Sequence, residues 1–244
     1  MVKKGITDKL YIDIKDTAKF LFDKGWAERN AGNFSYRLSL DEFEELKSVY
    51  KIRKNISLLK MDCDIYNECS DFYFLISISG SKFRDIMANP IKNICIAHIS
   101  KEQSSIYVAF QESKPSSEFP SHTLIHFYLC QEKPEIKAVL HTHPTNIIAF
   151  SHKYNDFDKK KINKILNSTM PEVSLFIQNG IGVVNLLDAG SFELAQETLN
   201  ELKLNDVVIW KKHGCISVAE NLWEAVDQID ILDKAANIAL LAQL

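Results

Sequence analysis

Between residues 72 and 210 the chain alternates short apolar runs with longer stretches of helical periodicity, and this alternation constrains the fold more than any other feature. Runs at 72–79, 93–99, 105–110, 138–143, 173–177, 181–185 and 206–210 have strand length and strand composition. Stretches at 121–131, 146–154, 191–202 and 222–244 carry apolar residues three and four apart and read as helices. A further helix is expected over 8–24. There Leu10, Ile14, Phe20 and Leu21 fall near helical spacing, with Thr7 as N-cap and Gly25 as the stop. Clean strand–helix–strand units are few. The expected fold is therefore α/β, with a central mixed, largely antiparallel β-sheet flanked by helices on both faces. The segment AERNAGNFSYRL reads as a glycine-broken turn, and residues 41–70, polar and weakly patterned, as a surface excursion. No repeat or linker divides the 244 residues, of which 46% are hydrophobic, so a single domain over 1–244 is expected.

A formal net charge of −3 gives no bulk attraction to nucleic acid, so affinity for a phosphate has to come from a local site. No run approaches the roughly 18 uncharged apolar residues of a membrane span. The charged opening MVKKGITDKLYIDIKD lacks the apolar stretch of a secretory signal. The five cysteines form no CxxC pair and read as reduced thiols, so a cytoplasmic location is expected and cysteine supplies no metal site.

The sharpest local feature is AVLHTHPTN. On a strand, residues two apart project to the same face, so His141 and His143 converge. Neutral imidazole is a good zinc ligand, and a catalytic zinc takes three protein ligands and keeps one position open. A third ligand is available in DVVIWKKHG, where His213 follows an apolar run and precedes Gly214, which lets the backbone turn close. The same histidines also read as ordinary polar groups at strand ends, and His98, His122, His126 and His152 read as structural or surface residues. His122 and His126, four apart on a helix, lack an apparent third partner.

Among 32 acidic residues, position alone singles out none. Glu118 in SSEFPSH lies on a polar loop before a helix and suits a general base, as does Glu172 in MPEVSLF. Two segments suit an anion. NAGNFS gathers Asn30, Gly32, Asn33 and Ser35, whose glycine lets backbone N–H groups converge. SISGSKFRD sets Ser79, Gly80 and Ser81 between a strand and a short helix. Either segment also reads as a plain turn.

Taken together, GWAERNAGNFSYRL, SGSKFR, SSEFPSH, HTHPTN, the acidic turn before QNGIG, and KHG resemble the class II aldolase/adducin-type family, in the same order along most of the chain. The GW-ERN-GN string points to its rhamnulose-phosphate branch. The resemblance implies a zinc ion, one per subunit, on His141, His143 and His213. It implies Glu118 as catalytic acid/base, with Glu172 reaching a neighbouring subunit's site. Asn30, Gly32, Asn33, Ser79, Gly80 and Ser117 would hold the substrate phosphate. It implies a homotetramer acting on a small sugar phosphate in rhamnose metabolism. The expected reaction cleaves a ketose 1-phosphate, most specifically L-rhamnulose 1-phosphate, to dihydroxyacetone phosphate and L-lactaldehyde. Cleavage of L-fuculose 1-phosphate, and a pentulose-phosphate 4-epimerase or dehydratase, keep the same metal site. A non-enzymatic adducin-like module need not keep the three histidines, and a purely structural zinc site is usually closed by four ligands.

Overall fold

The computed structural model describes residues 6–49, 57–59, 72–99, 106–109 and 114–244. The helices are α1 (Ile6–Lys24), α2 (Leu40–Val49), α3 (Phe83–Ala88), α4 (Pro90–Asn93), α5 (Phe119–Glu132), α6 (Thr145–Lys153), α7 (Lys159–Thr169), α8 (Pro171–Phe176), α9 (Phe192–Leu202) and α10 (Leu222–Leu241). The strands are β1 (Asn33–Leu38), β2 (Ser57–Leu59), β3 (Phe72–Ser77), β4 (Ile94–Ile99), β5 (Ile106–Ala109), β6 (Ala138–Thr142), β7 (Ile181–Val184), β8 (Val207–Trp210) and β9 (Gly214–Ala219). They form one nine-stranded sheet in the order β2-β5-β4-β3-β1-β6-β9-β8-β7. Every neighbouring pair is antiparallel except β7 with β8. The expected α/β fold with a mixed, largely antiparallel sheet is the one observed.

Strands β6, β8 and β9 are buried along their whole length; β6 and β8 accordingly read as continuous apolar runs, whereas β9 is not among the expected strands. Successive residues still point to opposite faces. On β6, Val139 joins Ile125 and Leu129 of α5 and Leu194 of α9. Its neighbour Leu140 joins Ile147 of α6 and the apolar face of α10. Helices α7, α9 and α10 start where side chains offer oxygens to unpaired backbone donors. Ser191 accepts from Leu194 N (3.1 Å), Asp158 from Lys161 N (2.8 Å) and Asn221 from Glu224 N (3.0 Å).

Four sequence expectations are corrected. Residues 33–38 are not part of a turn but form β1, at the middle of the sheet. Residues 173–177 are not a strand; Pro171–Phe176 is a helical turn and a half, because Pro171 fits the first helical position and only Val173 of its apolar residues turns inward. Thr7 lies inside α1 rather than capping it. Of the 41–70 excursion, 41–49 lie in α2 and 57–59 in β2; the remainder lies outside the described residues.

One buried acid fixes the start of α6, the helix that follows the HTHP turn. Asp233 of α10 accepts from Asn146 N (3.1 Å), Asn146 Nδ2 (2.8 Å) and Ile147 N (3.3 Å). Burial pushes its carboxyl above the ordinary value, and these three donors oppose that shift. Replacing Asp233 by Ala leaves those donors without an acceptor, which costs about 2 kcal/mol. In thermal unfolding with a chelator present, the midpoint is expected to fall by about 4–8 °C. An unchanged midpoint would show that the carboxylate contributes nothing to the packing of α6.

Candidate metal centre

Strand pairing sets the geometry. His141 lies on β6 opposite Asn33 of β1 on one side and Ile216 of β9 on the other. His143 follows two residues later, on the same face, and its backbone N–H donates to Trp26 O (2.8 Å). Between β8 and β9 the chain turns within three residues, Lys211 to His213, with Lys212 at φ 64° and His213 N bonded to Trp210 O (3.0 Å). This turn swings His213 against the other two rings, at centroid distances of 4.9 Å from His141 and 5.0 Å from His143. Gly214 makes the approach possible. A Cβ there would lie 2.4 Å from Thr142 O, 3.0 Å from His143 Cδ2 and 3.2 Å from His141 Cε1.

The hydrogen bonds behind the rings fix which nitrogens carry protons. His141 Nδ1 lies 2.9 Å from the Cys215 carbonyl, which can only accept, so Nδ1 is the donor and Nε2 is bare. His143 Nδ1 lies 2.9 Å from a Glu28 carboxylate oxygen and donates to it, which in a neutral ring leaves Nε2 bare. These two bare nitrogens face each other at 3.1 Å. With both rings neutral, two lone pairs this close repel unless a cation stands near both. One ligand atom from each of the three histidines lies within 4.8 Å of the others, so the trio is able to hold a metal ion. Burial, and then the neighbouring rings, keep His141 well below its usual pKa, and His213 is lowered to about 4. Both rings are therefore neutral near pH 7, the form that binds metal. The Trp210 indole packs on His141 (4.4 Å) and His213 (5.2 Å) and walls the centre.

Glu118 closes one side. It precedes the first turn of α5 and is 5% exposed, with Oε2 3.5 Å from His141 Nε2 and Oε1 3.7 Å from His213 Nε2. Burial pushes its carboxyl up to about 7, against the donor of Asn33, whose Nδ2 lies 2.8 Å from Oε2. A group titrating there can both give and take a proton near neutrality.

A polar cavity of about 180 Å³ opens from His143, His213 and Glu118. It is lined as well by Asn30, Gly32, Ser79, Gly80, Ser116 and Ser117. Gly32 (φ +75°) has to be glycine twice over, since a Cβ would also meet His141 O at 3.0 Å and the Phe83 ring at 3.2 Å. Asn33 also borders the cavity, but both ends of its amide are engaged, one by Glu118 and the other by His122. Glu172 is half-buried on α8 beside a separate shallow depression with Pro171, Ser174 and Leu175, away from this cavity.

The family model described as the Class II Aldolase and Adducin N-terminal domain matches residues 13–240. The chain belongs to this family. A curated rhamnulose-1-phosphate aldolase from Bacteroides thetaiotaomicron is 32% identical over 231 residues, 94% of this chain and 84% of that protein. The crystal structure of a sugar-phosphate aldolase from Thermotoga maritima superposes with a TM-score of 0.83 at 30% identity, covering 98% of this chain and 97% of the other. An L-fuculose 1-phosphate aldolase shares the fold, with a TM-score of 0.65 at 17% identity over 98% and 90% of the two chains. This class II aldolase is thus a metal-dependent aldehyde-lyase of carbohydrate metabolism. Among its described residues no helix is long and apolar enough to cross a membrane.

Sequence reasoning missed one residue of the centre. Glu28 orients His143 but lies among ordinary surface acids in the sequence. Of the two readings, structural or surface, His122 and His126 take the structural one and are fully buried; their setting among Leu124, Ile125 and Phe127 was the signal that this stretch of α5 faces inward. The close approach at Gly214 yields a direct test. Gly214→Ala is expected to push the His213 turn off the other rings, lowering bound metal by at least about tenfold while the rest of the sheet stays folded. Full metal content in folded Gly214→Ala protein would contradict the tight geometry.

Proposed function

We propose that this chain is a zinc-dependent aldolase that cleaves L-rhamnulose 1-phosphate to dihydroxyacetone phosphate and L-lactaldehyde. The observation that carries this reading is the pair of bare, facing Nε2 atoms of His141 and His143. It sits beside His213 and Glu118, at the mouth of a cavity walled by glycine and serine. The named activity of the Bacteroides thetaiotaomicron relative supports the choice of substrate.

His141, His143 and His213 are the metal ligands. A zinc ion held by them supplies Lewis-acid stabilisation of the negative charge that develops on the substrate oxygens. Asn30, Gly32, Ser79, Gly80 and Ser117 bind the phosphate and so place the reacting carbons at the other end of the cavity beside Glu118. In the cleavage direction the C4 hydroxyl passes its proton to solvent, from which Glu118 is reprotonated after each turnover, and the C3–C4 electron pair moves to C3. L-Lactaldehyde leaves with C4, and the remaining fragment is an enediolate. Glu118 donates its proton to C3 of that fragment, completing dihydroxyacetone phosphate; in the reverse direction it removes the same proton. A carboxyl near 7 suits both directions, and burial sets it there. Asn33, expected to bind phosphate, instead serves Glu118. The position of Glu172 on α8, outside this cavity, suits a role at the centre of a neighbouring copy in a homotetramer. The working unit is the single domain 1–244 in the cytoplasm, with no nucleic-acid or membrane partner.

The test is a coupled assay for dihydroxyacetone phosphate with L-rhamnulose 1-phosphate and L-fuculose 1-phosphate, with and without a chelator. Chelator-sensitive release, faster from L-rhamnulose 1-phosphate, is expected. Faster release from L-fuculose 1-phosphate would reassign the substrate, and interconversion of a pentulose phosphate without release would make the enzyme an epimerase. Glu118→Ala is expected to keep its metal and lose about 10²–10⁴-fold in turnover. A fully active Glu118→Ala enzyme would remove Glu118 from the proton-transfer step.

A further inference from the structure

Behind Glu118 lies a buried chain of polar side chains that the reaction as described does not use. Asn33 and Ser35 are two apart on β1 and share a face; His122 and His126 are four apart on α5 and share another. Where the two faces meet, Asn33 Oδ1 lies 2.5 Å from His122 Nε2, His122 Nδ1 lies 2.6 Å from Ser35 Oγ, and Ser35 Oγ lies 2.7 Å from His126 Nε2. His122, His126 and Ser35 are fully buried.

We propose that His122 is a positioning residue that holds the Asn33 amide in one orientation and, through it, the Glu118 carboxylate. The argument rests on Glu118 as the acid/base and follows the donors outward from it. An ionised carboxylate only accepts, so Asn33 turns its NH₂ toward Glu118 and its Oδ1 toward His122. His122 must then carry its proton on Nε2, which leaves Nδ1 to accept from the Ser35 hydroxyl. Ser35 oxygen in turn accepts from Nε2–H of His126. The series ends there, because His126 Nδ1 is buried with no hydrogen-bond partner. Every link has one donor and one acceptor and all run the same way, so no member is free to flip alone. Burial lowers His122 to about 3 and His126 well below its usual value, so each ring is neutral and holds the single proton this pattern requires. The dead end at His126 means that the chain orients Glu118 but carries no proton away from it. An amide with a single orientation presents Glu118 with a fixed donor, where a rotating one would present its oxygen part of the time.

Three replacements of His122 separate this role from simple packing. Gln puts an N–H where Nε2 stands and keeps the link to Asn33. Asn reaches only as far as Nδ1 and keeps the link to Ser35. Phe keeps the ring volume alone. In the dihydroxyacetone phosphate assay, His122→Asn and His122→Phe are expected to lose about 10–100-fold in kcat with KM and bound metal unchanged, and His122→Gln to recover most of the loss. Equal activity of the Gln and Asn variants, or a Phe variant as active as wild type, would overturn the proposal. A second readout is independent of the substrate. In ¹⁵N spectra of histidine-labelled wild-type protein, His122 and His126 are expected as neutral rings protonated at Nε2. An Nδ1–H ring or an imidazolium at His122 would refute the proposed orientation, even if the enzyme cleaved neither ketose phosphate.

Discussion

The centre depends on β1 pairing with β6 in the register that sets Asn33 opposite His141. That pairing puts a polar amide and an imidazole of the three-histidine cluster side by side at one end of the sheet. The next strand along, β9, supplies the Cys215 carbonyl that fixes the His141 proton on Nδ1. Side-chain direction has a period of two along a strand, so a slip of one residue between β1 and β6 would turn Asn33 and Ser35 away from α5. The fully buried strands around the pair hold the register because every alternative would drive their apolar side chains out of place. Stability and chemistry therefore share one constraint.

Burial then sets the electrostatics. The same exclusion of water that raises Glu118 lowers His141, His213, His122 and His126. The acid is brought toward neutrality while these histidines stay uncharged, so a single environment gives both the protonation behaviour of Glu118 and the neutral rings that the proposed roles require. Polar groups at this depth cost free energy unless they are paired. Here the pairing comes from β1 and α5 on one side and from Glu28 and Cys215 on the other.

What the sequence made legible were the features whose chemistry is local. The spacing of His141 and His143 and the His213–Gly214 step required only the periodicity of a strand and the size of glycine. What stayed hidden depended on contacts far along the chain. β1 was unreadable as a strand because its inward side carries Asn33 and Ser35, which line the site instead of adding to an apolar pattern. Residues 173–177 looked like a strand by composition, and the one-sided burial that makes them helical is a tertiary property. Glu118 differs from other acids only in being enclosed, and nothing within a few residues of it encodes that. The family resemblance identified it because the resemblance carries the tertiary arrangement along with the motif.

The most direct test of the account is X-ray absorption at the metal edge of the purified, metal-loaded protein. Three imidazole nitrogens bound to one ion, with the remaining scattering from light atoms, is the predicted result. A sulfur ligand, or fewer than three imidazoles, would contradict the assignment of His141, His143 and His213 as the metal centre on which the proposed reaction is built.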